Sequence, residues 1–335
     1  MTTVKYGMTG YEVKLIQYAL SRAGMDTGNL DGIFRRRTMR ALQSFQREHG
    51  LAADGVAGKL TWAALFPYIT GYTLHQLGPE KPVIEALDMD VVTDLVPCSY
   101  VLTGLVLKGL SVRYPFLSQR ETGRSVMGRP LMTVTVGEGP RRVGCTGPHR
   151  ADQWPMTMQL LRFLEEYASA YADGAAWAWE MYSAATIHFL PLVNPDGTDL
   201  VTGALDPQDS FFAQAQALAA HYPGVPFPEG WKANISGVDL ALQYPAGWAQ
   251  ARRMRFRHGF TRPGPRDYVG SEPLIAPESR AVARWTRDQA FDAVLSCDPG
   301  YVGWFTTVWS RPGYVWGGEA GELQPVLFGA LALSP

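Results

Sequence analysis

With 335 residues, 46% of them hydrophobic and 18% charged, the chain has apolar material for a large domain and a smaller one, which excludes the disordered class. A formal net charge of −1 gives no general attraction to nucleic acid or to an acidic membrane surface, and no run of 18 apolar residues offers a membrane span. Three cysteines, Cys98, Cys145 and Cys297, cannot form a closed disulfide framework and are expected as buried free thiols. The first ten residues lack a basic stretch followed by an apolar one, so no secretory signal is expected there.

Residues 10–24 place Val13, Ile16, Gln17 and Leu20 at i, i+3, i+4 and i+7, which predicts an amphipathic helix ending at Gly24. An Asp-Gly turn at Asp31-Gly32 opens the next segment, 31–50, where Thr38, Ala41, Leu42 and Phe45 repeat the helical period. A second such turn at Asp54-Gly55 leads into a short helix over 57–66 with Trp62 and Leu65 inward. Three short helices joined by tight turns make a small domain with a thin core. The basic runs Arg35-Arg36-Arg37 and "RRMRFRHG" (252–259) read as solvated helix faces.

The segments "VKLIQYAL", "GNLDGIF", T-x-x-A-L-x-x-F-Q over 38–46, "GLAADGVAG" and "TWAAL" resemble the peptidoglycan-binding domain of bacterial cell-wall hydrolases, over about residues 5–66. Arg35 stands where that family usually has Gly. The resemblance implies docking to wall glycan or peptide, with Phe45 and Trp62 expected in the core rather than on a binding platform. This domain is assigned to 1–67. Residues 68–92, punctuated by Pro and Gly, read as a linker, in which "TGYTLHQL" resembles the start of a LysM repeat whose remainder is missing.

From residue 93 to 335 helical and strand patterns interleave, which predicts an α/β domain with a sheet covered on both faces. Residues 131–137 alternate as a strand, 157–172 form an amphipathic helix, 185–197 an apolar strand running into an Asn-Pro-Asp-Gly turn, 278–289 a helix and 291–297 a buried strand. His188, on an apolar strand, reads as a core histidine, and Trp177, Trp179, Trp304, Trp309 and Trp316 as core or rim packing.

"GRSVMGRPL" (123–131), "FLPLVNPDGTDLVTGAL" (189–205), "GWKANISGVDL" (230–240), "RPGPRDYVGSEPLIAPE" (262–278) and "RPGY" (311–314) resemble the M14 zinc carboxypeptidases, in particular the γ-D-glutamyl-diamino acid endopeptidases that cut peptidoglycan stem peptides. The resemblance implies an eight-stranded mixed sheet flanked by helices. It also implies one zinc held by His-x-x-Glu and a later His, with a catalytic Glu that takes a proton from the metal-bound water.

The ligand positions implied by the resemblance carry other residues. Laid without gaps on Val143–Trp154, the family's V-F-I-N-A-S-F-H-A-N-E-W puts its His on Arg150 and its Glu on Gln153. Arg is permanently cationic and cannot ligate a dication, and a neutral Gln oxygen substitutes poorly for carboxylate. The third ligand position, in "DAVLSCD" (292–298), is Asp298. The catalytic Glu position in "RPGYVWG" is Gly317, and the substrate-binding Asn of G-V-D-L-N is Ala241. Only five residues separate Asp298 from Trp304, where the family carries several dozen, so the domain is shortened there.

The reading is therefore a peptidoglycan-binding, M14-like pseudoenzyme with no zinc and no catalytic Glu, partnered by peptidoglycan or its stem peptides and not by nucleic acid. The alternative is an active zinc peptidase with relocated ligands: His149, Asp152 and Asp298, with Glu319 or Glu322 as a displaced base. Location is expected as cytoplasmic synthesis with spore or cell-wall association.

Overall fold

Two buried glutamines organise the first seventy residues. Gln17, in the helix Tyr11–Arg22 (α1), accepts from the Gly32 amide at 2.9 Å, and its amide nitrogen donates to Asp31 Oδ1, Ile33 O and Thr38 Oγ1 at 3.2–3.3 Å. Gln46, in Arg36–Glu48 (α2), repeats the pattern on the next turn. It accepts from Gly55 N at 2.9 Å and donates to Asp54 Oδ1, Val56 O and Thr61 Oγ1 at 3.0–3.2 Å. Each turn aspartate also accepts from the amide two residues on, Ile33 or Val56, at 2.9 Å. Gly32 and Gly55 sit at φ 74° and 72°, where L side chains are strained. Each Asp-Gly turn is thus closed from inside by a glutamine, of which periodicity marks Gln17 as inward and leaves Gln46 out.

The computed structural model describes residues 3–75, 83–87, 89–92 and 96–297. The third helix, Lys59–Thr70 (α3), continues past its expected end and stops at Gly71, whose φ of 74° reverses the chain. Phe45, Trp62 and Leu65 are all core, with Ile16, Leu20 and Leu42. The stretch read as a linker carries an antiparallel pair, Tyr72–His75 (β1) and Val83–Ala86 (β2), with Tyr72 opposite Ala86. Tyr72, Val91 and Val92 are buried, so apolar side chains hold this stretch in place. The helix Tyr100–Arg113 (α4) follows, started by Ser99 Oγ accepting from Leu102 N at 3.1 Å. The chain divides into two compact units, the first running to Pro115 together with Thr202–Ala204. By this division α4 falls in the first unit.

The second unit is built on Ser118–Arg124 (β3), Pro130–Val136 (β4), Arg141–Thr146 (β5), Trp154–Ala172 (α5), Ala176–Ala184 (α6), Ala185–Leu190 (β6), Pro195–Thr202 (α7), Ser210–Ala219 (α8), Trp248–Arg257 (α9), Pro277–Gln289 (α10) and Ala293–Ser296 (β7). The strands form one mixed sheet in the order β3-β4-β6-β5-β7, antiparallel from β3 to β6 and parallel from β6 to β7. The described residues supply five of the eight strands that the resemblance implies. β5 lies between two parallel neighbours, Cys145 facing Phe189 on β6 and Leu295 on β7, so its Gly-Cys-Thr end is buried. Gly144 is required there, since a Cβ would lie 2.8 Å from the Phe291 ring. No helix among the described residues is long and apolar enough to cross a membrane.

Candidate functional site

The site is built at the end of β5. Thr146 O accepts from Cys297 N at 2.9 Å and Gly147 N donates to Leu190 O at 2.8 Å, so β7 and β6 both grip the strand as it ends. A Cβ on Gly147 would lie 1.9 Å from Pro191 O, so only glycine passes. His149 and Arg150 follow, then a 3-10 turn, Ala151–Gln153, and α5. Asn194, first residue of Asn-Pro-Asp-Gly, fixes this backbone: its Nδ2 donates to His149 O at 3.0 Å and to Ala233 O at 3.1 Å, and Gly197 N donates to its Oδ1. The motif expected as a turn opens α7 and has a structural role.

His149 is buried, and its Nε2 lies 2.5 Å from the Tyr244 hydroxyl. Burial first, and the Arg150 charge second, push its pKa down to about 4, so the imidazole is neutral at neutral pH. Arg150 is half-buried, and its Nε has no hydrogen-bond partner among the described residues. Asp152 sits with Oδ2 3.6 Å from Lys232 Nζ, while its Oδ1 is buried with no partner among those residues. Gln153 is half-buried beside them in the turn. Ala241 lies in a second 3-10 turn, Leu240–Leu242, begun by Asp239, whose Oδ1 accepts from Ala241 N at 3.3 Å and whose Oδ2 accepts from Asp267 N at 3.1 Å. Tyr244, three residues on, brings that turn to His149.

Zinc needs neutral imidazoles and carboxylates arranged with one open position. The described residues do not fit that set. Arg150 and Gln153 offer no imidazole and no carboxylate at the expected positions. Of the relocated pair, His149 spends Nε2 on Tyr244 and Asp152 faces Lys232, with the Arg150 guanidinium between them in sequence. No group of three His, Cys, Asp or Glu side chains among the described residues can hold a metal ion. Asp298, Gly317, Glu319 and Glu322 lie outside the described residues, as do Trp304, Trp309 and Trp316.

Behind the site the quoted motifs bind one another. Asp196 accepts from Ser125 Oγ and Met127 N, both at 2.9 Å, and Arg129 lies 3.6 Å from it and 2.8 Å from Asp199. Glu278 accepts from Val126 N at 3.0 Å and from Asn234 Nδ2 at 3.1 Å. Burial raises the Glu278 pKa to about 7 against these two bonds and raises Asp196 as well. "GRSVMGRPL", "NPDG", "WKAN" and "APE" are therefore one buried polar frame.

Several side chains were read differently from the sequence or passed over. Lys232 and Tyr244, which face Asp152 and His149, stand in or beside quoted motifs; a cation and a hydroxyl next to buried apolar residues were the available signal. His188 is only half satisfied, with Nδ1 3.0 Å from Thr135 Oγ1 and a buried Nε2 lacking a partner among the described residues. Trp177 and Trp179 are each 51% exposed and pack beside Tyr167 and Tyr171, which is the rim packing among the two expectations. Cys98 and Cys145 are buried thiols, and Cys297 is half-buried.

Residues 9–65 match the family described as "Putative peptidoglycan binding domain", and residues 105–310 match the family described as "Zinc carboxypeptidase". The chain is 34% identical over 195 residues to gamma-D-glutamyl-L-diamino acid endopeptidase 1 of Lysinibacillus sphaericus, covering 57% of this chain and 47% of that protein. It is 33% identical over 189 residues to the uncharacterized protein YqgT of Bacillus subtilis (strain 168), covering 55% and 48%. The chain spans about half the length of these curated relatives. Among solved structures, thrombin activatable fibrinolysis inhibitor aligns with a TM-score of 0.45 at 18% identity, over 59% of this chain and 46% of that one.

Proposed function

The chain belongs to the zinc carboxypeptidase family, with a peptidoglycan-binding domain in front, and on that premise we propose that it is a wall-binding pseudoenzyme. The N-terminal domain docks on peptidoglycan, and the large domain keeps the family frame, presenting it to stem peptides without hydrolysing them. The observation that carries this reading is Arg150. It occupies the position where the family pattern places its first imidazole, half-buried beside a neutral His149. A guanidinium has no lone pair for a metal and repels one. The replacements at Gln153, Ala241, Asp298 and Gly317 support it from the sequence. We place the protein at the cell wall or a spore compartment on the chemistry of its relatives' substrate.

The test is a cleavage assay on purified stem peptide carrying a γ-D-glutamyl-diamino acid bond, read by mass spectrometry, with zinc added. The expected result is no cleavage, while the full chain still sediments with purified wall sacculi. Chelator-sensitive cleavage lost in His149→Ala would overturn the reading in favour of relocated ligands at His149, Asp152 and Asp298.

A further inference from the structure

α9 and the loop that follows it carry a dense, one-sided positive charge. Residues 240–266 contain six arginines and no aspartate or glutamate, in a chain whose net charge is −1. No residue of α9 is buried. Four surface arginines elsewhere meet acids: Arg37 with Asp26, Arg35 with Asp31, Arg124 with Glu121 and Arg162 with Glu166. That interspersion is what a merely solvated face shows. The acid that pairs with α9 among the described residues is Asp267, engaged by Arg255 at 3.1 Å and by Arg266 at 2.6 Å. Arg253, Arg257 and Arg262 remain exposed and make no ion pair among the described residues.

The aromatic side chains of the face are positioned to hold an arginine rather than to stack on a ligand ring. Trp248, Arg252 and Phe256 follow at i, i+4 and i+8, and the Arg252 guanidinium lies 4.5 Å from the Phe256 ring centre and 5.7 Å from that of Trp248. Trp248 is itself pinned by Nε1 donating to Val269 O at 3.0 Å. Phe260 stacks on Tyr222. Rings occupied in this way leave no platform for unpaired bases, which sequence-independent binding of single strands uses. What the face offers is a row of guanidinium forks, one of them pre-organised, suited to phosphate oxygens.

We propose that α9 and the loop to Asp267 form a docking surface for a linear polyol-phosphate polymer of the cell wall. Charge complementarity selects a polyanion, and the occupied rings disfavour one with unpaired bases. The choice of a wall polymer rests on the wall-binding reading above. The surface adds a second, electrostatic grip to the one supplied by the N-terminal domain.

The experiment titrates the full chain against fluorescein-labelled poly(glycerol phosphate), by anisotropy, over a range of salt concentrations. Binding weakens linearly in log–log form with salt, and the triple variant Arg253→Gln/Arg257→Gln/Arg262→Gln loses at least about tenfold in affinity with a slope flatter by about 2–3. The matching triple Arg→Lys variant retains binding, and all three proteins keep the same thermal midpoint. An unchanged affinity in the Gln variant overturns the proposal. So does tighter binding of a single-stranded DNA oligonucleotide with the same number of phosphates. Sacculi stripped of phosphate polymer should bind wild type and Gln variant equally, and a loss there in the variant would assign the surface to peptidoglycan itself. Wild type that binds poly(glycerol phosphate) but not stripped sacculi removes the wall-binding reading and leaves the polyanion surface standing.

Discussion

Around Asp196 and Glu278, each buried carboxylate oxygen has a donor, and the Asn194 and Asn234 oxygens receive Gly197 N and Val238 N. In the segment 146–157 of the same unit, Thr146 Oγ1, Arg150 Nε, Asp152 Oδ1 and Thr157 Oγ1 are buried with no partner among the described residues. The two regions draw on the same residue types and touch through Asn194. They differ in what their polar atoms do. The frame is closed on itself, and each of its members holds a loop distant in sequence. The segment at the end of β5 instead leaves several buried polar atoms unanswered among the described residues. A stability scan should therefore separate them.

The largest effect is expected at Glu278. Glu278→Ala leaves the Val126 amide and the Asn234 amide nitrogen without an acceptor in the core, costing about 2–4 kcal/mol in the large-domain unfolding transition. Denaturant titration measures it, and a loss comparable to that of a surface substitution would break the contrast. The same carboxyl predicts a pH dependence. Its folded pKa of about 7 lies above the unfolded 4.5, so its stabilising contribution is full below pH 4.5 and is lost as pH rises to 7. The amplitude is on the order of 3 kcal/mol, and Glu278→Gln should flatten that part of the stability profile.

A control of intermediate size lies in the first unit. Gln46→Leu leaves the Gly55 amide and the turn unclosed, at about 1–3 kcal/mol, and should lower only the transition of the N-terminal domain. The smallest effect is expected at Arg150. Arg150→Leu removes a half-buried charge with an unpartnered nitrogen and should leave stability within about 0.5 kcal/mol or raise it. A loss of several kcal/mol would show that Arg150 belongs to the frame.

Much of this was legible in the sequence, and the reasons are specific. The helices of the first domain follow from Val13, Ile16 and Leu20 and from Leu42 and Phe45, because one-sided burial imposes the helical period. The Gln17 and Gln46 clasps escaped, although Gln, Asp-Gly and Thr recur in the same order in both halves. Periodicity reports which way a residue points, not what its polar atoms meet. The β1–β2 pair escaped because its strands are four residues each and flanked by Pro and Gly. At the site, the expectation that the ligand positions carry other residues rests on laying one family pattern on Val143–Trp154. The contacts of His149 with Tyr244 and of Asp152 with Lys232 join residues 95 and 80 positions apart, which no local pattern encodes.

The most direct measurement is the zinc content of the purified full chain, by elemental mass spectrometry after zinc loading and dialysis. The account predicts a value near zero per chain, unchanged in His149→Ala. Close to one zinc per chain, lost in His149→Ala, would contradict it and make the segment after β5 a working metal site.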